Sequence, residues 1–360
     1  MRILKSDTYI NEKLDIQPVT KDMLSKMKEE PSVDENARRF IKDNNLKWNP
    51  ITKSYDCGGM VSISDDMVID GKLKIRFGNV GGDFDCSFNE LTTLEGAPKR
   101  VGGYFNCSSN NLTTLKCAPQ EVSGDFSCSL NELTSLEGAP NKVGRGFYCN
   151  NNNLTTLEGA PKEVGGGFSC NSNNLTSLEG APQNVGGYFY CNFNNLATLE
   201  GAPQKVGGNF NCNENHLTTL EGAPNEVGGD FYCNINNLTS LEGAPNKVGG
   251  YFNCSNNRLT SLKGAPNMVG RSFYCSRNNL TTLEGAPKEV GVDFNCSKNE
   301  LTSLEGAPNK VGGGFYCNDN NLSTLDGAPK EVDGGFYCSG NPNLVLPKEK
   351  PSWLKGKIIS

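Results

Sequence analysis

A 21-residue repeat runs through the chain from Val80 to about Asn341, in the form V-G-G-x-F-x-C-[SN]-x-N-x-L-T-[TS]-L-E-G-A-P-x-x. Cysteine marks its register at thirteen positions from Cys86 to Cys338 without insertion, and phenylalanine keeps the same step from Phe84 to Phe336. Such an unbroken period is typical of a solenoid, in which each repeat forms one coil and shares its core with its neighbours. The repeat therefore predicts about 13 stacked coils.

Within one repeat the residue pattern predicts an extended segment followed by a turn. Phenylalanine and cysteine alternate with polar residues in V-G-G-x-F-x-C, which is typical of a strand with one buried face. The asparagine after cysteine (Asn89 in the first coil) is suited to satisfy the backbone groups of a turn. Leu91 and Leu94 then point into the core, and the proline of E-G-A-P excludes a helix. The fold class is therefore mainly β, a parallel β-solenoid.

These residues resemble the leucine-rich repeat family, whose pattern L-x-x-L-x-L-x-x-N-x-L forms a strand and an asparagine turn. When Asn89 is aligned with the family asparagine, Phe84 and Cys86 occupy the two strand leucines and Leu91 the last one. Gly81 takes the place of the first leucine. A divergent leucine-rich repeat and a related parallel β-solenoid both fit this pattern. The resemblance and the near-identity of the coils imply short repeats of the bacterial or bacteriophage type.

The flanking segments differ from the array and predict four parts of the chain: 1–56, an N-terminal α/β segment; 57–79, capping strands; 80–341, the solenoid; and 342–360, a C-terminal cap. Two helices are predicted in the first part, one beginning near Thr20 in VTKDMLSKMK and one near Asp34 in VDENARRFIKDNN. At the other end Trp353 is expected to cover the last coil, because the end of a solenoid core requires a cap.

Composition excludes several function classes. The net charge of −6 argues against general binding to nucleic acid, and no apolar run is long enough for a membrane span. One histidine and the absence of C-x-x-C argue against metal sites, and stacked cysteines run parallel at a separation that does not suit disulfides. We expect a column of reduced thiols, with Cys117 the most exposed, and no cofactor. No nucleophile and base pair stands out, which predicts a protein without catalytic residues.

The same residues favour a cytoplasmic location in a bacterial or phage-infected cell. Free thiols suit a reducing compartment, and no secretory signal is recognised at the start of the sequence. A location on the virion is the alternative.

The outward positions beside each phenylalanine form the candidate binding face. Tyrosine is enriched in recognition surfaces because it offers a large contact area with few rotatable bonds, although it also favours exposed strands in general. Four apolar residues in a neighbouring column, Phe88, Leu130, Phe193 and Ile235, also suit a protein partner. The proposed face consists of Tyr104, Tyr148, Tyr188, Tyr190, Tyr232, Tyr251, Tyr274, Tyr316, Tyr337, Asp125, Asp230 and Asp293.

From this face we predict a non-catalytic protein-binding or scaffold protein. Carbohydrate or cell-surface binding by the tyrosine, asparagine and aspartate side chains is the first alternative. Ice binding is the second, since Thr92, Thr113, Thr155 and their equivalents form a regular column of hydroxyl groups. The oligomeric state is left open by the sequence.

Overall fold

Two long parallel sheets run side by side along the computed structural model, which describes residues 29–360. We name them the valine sheet and the phenylalanine sheet after the buried residue in each repeat. The valine sheet has 15 strands: Lys47–Asn49, Ser54–Cys57, Phe77–Val80, Arg100–Val101, Glu121–Val122, Lys142–Val143, Glu163–Val164, Asn184–Val185, Lys205–Val206, Glu226–Val227, Lys247–Val248, Met268–Val269, Glu289–Val290, Lys310–Val311 and Glu331–Val332. The phenylalanine sheet also has 15: Val61–Ser62, Phe84–Asp85, Phe105–Asn106, Phe126–Ser127, Phe147–Tyr148, Phe168–Ser169, Phe189–Tyr190, Phe210–Asn211, Phe231–Tyr232, Phe252–Asn253, Phe273–Tyr274, Phe294–Asn295, Phe315–Tyr316, Phe336–Tyr337 and Ile358–Ile359.

The predicted parallel β-solenoid is confirmed. Equivalent residues of successive repeats pair without a register shift along the array, as in Phe147 with Phe168 and Phe168 with Phe189. Thirteen repeats contribute one strand to each sheet, and the flanking segments extend each sheet to fifteen strands.

Each coil contains two short strands rather than the single strand suggested by the V-G-G-x-F-x-C pattern. The two glycines form a corner between the sheets, where backbones of neighbouring coils come close together. A Cβ on Gly208, for example, would lie 3.0 Å from the carbonyl carbon of Gly187. The glycine pair therefore ends one strand and allows the next to begin at a different angle.

The core consists of five columns, as predicted: valine, phenylalanine, cysteine and two leucines from each coil. In the central coils the phenylalanine, cysteine and leucine side chains have no exposed surface. The phenylalanine rings from Phe84 to Phe336 form one continuous stack, with centroids of neighbouring rings 5.1–5.6 Å apart. Because each coil buries its apolar side chains against the next, stacking completes the core.

A ladder of buried asparagines holds the turn after the cysteine. The Asn215 amide nitrogen donates to the carbonyl oxygens of Cys191 and Cys212, both at 3.1 Å, and of Asn213 at 3.2 Å. Its amide oxygen accepts from the backbone N–H of Leu196 at 3.0 Å. One side chain therefore satisfies backbone groups of two coils, which confirms the role expected for this column.

The E-G-A-P segment closes each coil with a left-handed residue. Its glycines have φ between 79° and 93°. Cys117 replaces this glycine in one coil and keeps a φ of 70°, a conformation that costs a side chain free energy. The second hydroxyl of the T-[TS] pair supports the same turn, since Thr156 accepts from the backbone N–H of Glu158 at 3.1 Å.

The N-terminal cap contains one helix among the described residues, Glu35–Asp43, which begins where the sequence predicted it. The Asp34 side chain caps it by accepting from Ala37 N–H at 2.8 Å. Phe40 on this helix meets Phe77 edge to face at 6.4 Å, at the start of the phenylalanine stack. A short 3₁₀ helix, Asp65–Met67, and an antiparallel pair, Val68–Ile69 with Lys72–Leu73, complete the cap. The helix predicted near Thr20 lies outside the described residues.

The C-terminal segment covers the last repeat. The Trp353 ring meets Phe336 edge to face at 5.2 Å, and its carbonyl accepts from Val332 N–H at 2.9 Å. Strand Ile358–Ile359 then pairs with Phe336–Tyr337. The division of the chain at residues 56, 79 and 341 stays a prediction.

Candidate interaction face

All twelve residues of the proposed face lie on the outer side of the phenylalanine sheet, and every one is half-buried. They occupy the positions directly before and after the phenylalanine, so they alternate with the buried Phe and Cys side chains. Because successive coils pair in register, these positions form two parallel columns along the solenoid.

Eight of the nine tyrosines, from Tyr148 to Tyr337, are distributed over ten consecutive coils, which we name the tyrosine belt. Tyr188 stacks on Tyr190 with ring centroids 4.3 Å apart, and Tyr316 stacks on Tyr337 at 4.4 Å. Tyr251 and Tyr274 lie 6.0 Å apart. At a coil spacing of about 4.8 Å the belt is about 43 Å long.

Tyr104 is separate from the belt. One coil, that of Phe126, separates it from Tyr148, and the outward positions of this coil carry Asp125 and Ser127. The Tyr104 hydroxyl donates to Asp85 at 3.5 Å instead of meeting another tyrosine.

Glycines beneath the belt make room for its rings. A Cβ on Gly167 would lie 2.5 Å from the ring of Tyr188, and one on Gly314 would lie 2.7 Å from the ring of Tyr316. Gly335 has the same relation to Tyr337, at 2.8 Å. The rings therefore lie over the backbone at positions where other coils carry Asp, Asn or Tyr.

The three aspartates of the face also serve the backbone, a role that the sequence analysis missed. Asp125 accepts from Gly146 N–H at 2.7 Å, Asp230 from Tyr251 N–H at 2.8 Å, and Asp293 from Gly314 N–H at 2.8 Å. Each bond joins one coil to the next. The second oxygen of Asp230 accepts from the Tyr232 hydroxyl at 2.9 Å, which fixes that ring.

The environments of Tyr148, Tyr232 and Tyr316 raise the pKa of these three phenols and keep them neutral. Burial and the bond to Asp230 raise the pKa of Tyr232 to about 12. Burial also raises the pKa of Tyr148, whose hydroxyl lies near Tyr188 and Asp125, and that of Tyr316. These environments favour a preformed surface of uncharged aromatic side chains rather than a site for acid–base chemistry.

Arg271 adds a positive charge beside the belt. It replaces a glycine of V-G-G, and its guanidinium carbon lies 5.7 Å from the centre of the Tyr251 ring, within cation–π distance. The sequence signal for this contact was the departure of Arg271 from the repeat, which the sequence analysis did not use.

A second column, which we name the edge column, follows the phenylalanine sheet at the turn after cysteine. The thirteenth residue of this column is Gly340, with a φ of 70°. The other twelve are not glycine, yet they have φ between 51° and 57°: Phe88, Ser109, Leu130, Asn151, Ser172, Phe193, Glu214, Ile235, Asn256, Arg277, Lys298 and Asp319. The four apolar members are exposed, as expected, Phe193 by 48% and Ile235 by 46%. Phe193 belongs to the coil of Tyr190, and Ile235 to the coil of Tyr232.

Burial keeps the thiols of the cysteine column protonated and away from solvent. All fifteen cysteines are free, and fourteen of them are buried. The Cys212 thiol donates to the carbonyl of Tyr232 at 3.3 Å, and burial raises the pKa of these ladder thiols well above that of a free cysteine. Cys117 is the exposed thiol, as predicted.

Other parts of residues 29–360 contribute no alternative site of comparable extent. No group of three or more histidine, cysteine, aspartate or glutamate residues in this range has the arrangement of a metal site. None of the helices in the described part of the chain is both long and apolar enough to cross a bilayer. A groove beside Cys117 includes Lys72, Arg76, Lys99 and Lys116 in its lining and none of the belt tyrosines.

No family model and no curated protein matches the sequence. Several solved structures are similar to this chain. The leucine-rich effector protein YopM from Yersinia pestis shares 19% identity over 78% of this chain and 89% of its own, with a TM-score of 0.47. YopM from Yersinia enterocolitica shares 18% identity over 84% and 80%, with a TM-score of 0.44. The functional domain of InlJ from Listeria monocytogenes, which includes a cysteine ladder, shares 18% over 71% and 67%, with a TM-score of 0.38.

Proposed function

We propose that this chain, a solenoid of the leucine-rich-repeat type, is a non-catalytic scaffold that binds another protein through the tyrosine belt. The observation that carries the proposal is the density of the belt: eight half-buried tyrosines on seven of ten consecutive coils, with no fully exposed ring among them. Fixed aromatic side chains lose little conformational entropy on binding and offer both apolar area and hydroxyl groups.

The contacts within the belt support a recognition role beyond strand preference. Tyr232 is held by Asp230 at 2.9 Å, and Tyr188 and Tyr190 are held against each other. A surface that is already ordered binds without the cost of ordering its own side chains. Glycine at 167, 314 and 335 is needed for the observed ring positions, so the tyrosines and the glycines beneath them form one arrangement.

We also propose that the protein acts in a reducing compartment, in agreement with the cytoplasmic location expected from the sequence. The support is the column of free, buried thiols, which donate to backbone carbonyls and lie in the core of every repeat.

A variant with Tyr190, Tyr232 and Tyr274 changed to Ala tests the proposed face. The intact protein and the variant are used as baits under identical conditions, and proteins that crosslink to each are compared by quantitative mass spectrometry. We expect a defined protein partner to be recovered at least about tenfold less by the variant, as for loss of a hot spot.

The matched control changes Thr155, Thr239 and Thr281, which are exposed on another side of the solenoid, to Ala. It is expected to recover the partner as the intact protein does. Equal recovery by the tyrosine variant would exclude the belt as the binding face. Binding to a glycan array that depends on the tyrosines would instead favour the carbohydrate alternative. Thermal hysteresis that is lost in the threonine variant would favour the ice-binding alternative.

A further inference from the structure

Along the outward position after phenylalanine, tyrosine occurs in every second coil through the middle of the belt. Tyr148, Tyr190, Tyr232, Tyr274 and Tyr316 are each 42 residues apart, and the coils between them carry Ser169, Asn211, Asn253 and Asn295. The strands of all these coils pair in register. Successive tyrosines in this series are therefore about 9.6 Å apart along the solenoid.

The edge column shows the same two-coil step at the same place. Phe193 and Ile235 are 42 residues apart and lie in the coils of Tyr190 and Tyr232. Both are exposed, and both have a left-handed backbone, which Asn or Gly would adopt at lower cost. Because these side chains are exposed and their backbone is unfavourable for them, neither burial nor backbone preference explains why Phe and Ile occupy these positions. Contact with an apolar surface of a partner does explain it.

This spacing distinguishes between the two regular elements that a partner can present. An extended strand places side chains of one face about 6.7 Å or about 13 Å apart, so it does not repeat at about 9.6 Å. A helix places residues i and i+7 on one face about 10.5 Å apart. Tilted by about 24° from the solenoid axis, that distance projects to about 9.6 Å, close to a common packing angle of helices.

The net charge of the repeat array indicates which residues should flank the apolar face of such a helix. The repeat array carries 26 acidic and 16 basic residues, and Asp230 and Asp293 lie on the face itself. Basic residues beside the apolar anchors would complement this excess of negative charge.

We infer that the partner presents an amphipathic α-helix with basic flanks, which lies along the solenoid and places apolar residues seven positions apart against Tyr190 with Phe193 and against Tyr232 with Ile235. The inference rests on the proposed function, since it specifies the partner of the same face.

The first experiment uses two displayed peptide libraries on the full-length protein. One contains helical peptides of about five turns with lysine and arginine on the flanks. Each of these peptides carries two apolar anchors, and the spacing between the anchors varies across the library. The other contains extended peptides with apolar residues at alternate positions. We expect binders from the helical library with anchors at i and i+7, which lose affinity about tenfold on the double variant Tyr190→Ala and Tyr232→Ala.

The second experiment changes the spacing while it keeps every residue of the face. Duplication of residues 194–214 inserts one coil between Tyr190 and Tyr232, and that coil adds no tyrosine and no apolar edge residue. Three coils then separate the two contacts by about 14.4 Å, which matches about three helical turns. A selected peptide should lose about tenfold in affinity, and moving its second anchor from i+7 to i+11 should restore binding.

The outcomes separate the inference from the function on which it rests. Binders from the extended library alone would overturn the helical partner. So would an i+11 peptide that does not bind the insertion variant when the i+7 peptide has lost its affinity for it. Both outcomes leave the proposed face in place. Binders of either kind that ignore the tyrosine substitutions contradict the proposed face as well. Circular dichroism of the insertion variant, compared with the intact protein, verifies that the added coil is folded.

Discussion

At the scale of the residue, the edge column shows a conflict between backbone preference and sequence. Every member from Phe88 to Asp319 has a positive φ, which Asn, Asp and Gly tolerate and β-branched residues resist. Ile235 is the β-branched member, and almost half of its side-chain surface is exposed. Burial of this side chain therefore contributes little to stability, while its backbone conformation is strained.

We predict that Ile235→Asn stabilises the solenoid by about 1 kcal/mol, because asparagine adopts the left-handed conformation more readily. Urea unfolding followed by circular dichroism measures the change. The reverse substitution in the next coil serves as the control: Asn256→Ile should destabilise the solenoid by a similar amount. If Ile235→Asn lowers the unfolding midpoint, the strain argument is wrong at this position.

At the scale of the element, the unit is one coil fastened to the next by its asparagine. Replacing Asn215 with Leu would remove the acceptor of the buried Leu196 N–H and the donor shared by Cys191 and Cys212. We expect a loss of about 3 kcal/mol or more, since buried backbone groups are left without partners. The exposed neighbour His216, changed to Ala, should shift stability by less than about 0.5 kcal/mol in the same urea titration.

The coil columns were predictable because a strict period places every equivalent residue in the same environment. Once Phe84, Cys86, Leu91 and Leu94 are assigned to the core in one coil, the assignment extends to all coils. The split into two strands was not predicted, because V-G-G was interpreted as part of one strand rather than as a corner. The role of Asp125, Asp230 and Asp293 was also missed, since it depends on a backbone N–H that only the folded corner leaves without a backbone partner.

The C-terminal cap is attached to the last repeat in part by ion pairs of Lys355. Lys355 lies 2.7 Å from Glu331, and Lys310 lies 3.3 Å from the other oxygen of the same carboxylate. Hydrogen bonds from Lys355 lower the pKa of Glu331 from 4.5 and that of Asp333 from 3.8. Because the folded-state values are lowered, the ion pairs stabilise the cap above these ordinary values, and the stabilisation is lost as the pH falls below them.

We therefore expect the cap to loosen as the pH falls below these ordinary pKa values, with no change near neutral pH. Trp353 fluorescence, recorded in a Trp48→Phe background, reports the contact with Phe336. In the variant Lys355→Met the acid-dependent change should be smaller, because the two ion pairs that Lys355 makes with Glu331 and Asp333 are already absent. An identical acid transition in both proteins would show that these carboxylates do not control the cap.

At the scale of the whole molecule, each strand of residues 80–341 pairs with the equivalent strands of the neighbouring coils and not with those of distant coils. Each coil meets the coil before and the coil after, and the paired strands repeat at a constant sequence separation of 21 residues along the array. The number of coils can therefore change without a change in the structure of each coil, and the columns of surface residues become longer with every added coil. A face such as the tyrosine belt is set by which coils carry which side chains, while the core that supports it stays the same.

This independence predicts that a whole coil can be removed without loss of the fold. Deletion of residues 107–127 joins Asn106 to Cys128, so that Phe105 pairs with Phe147 in place of Phe126. The core columns and the asparagine ladder then continue in register, and we expect far-UV circular dichroism and a cooperative urea transition close to those of the intact protein. Deletion of residues 107–117 removes half a coil and places polar residues at core positions, so that variant should lose the cooperative transition. Equal tolerance of both deletions would mean that the 21-residue coil is not the unit on which this fold depends.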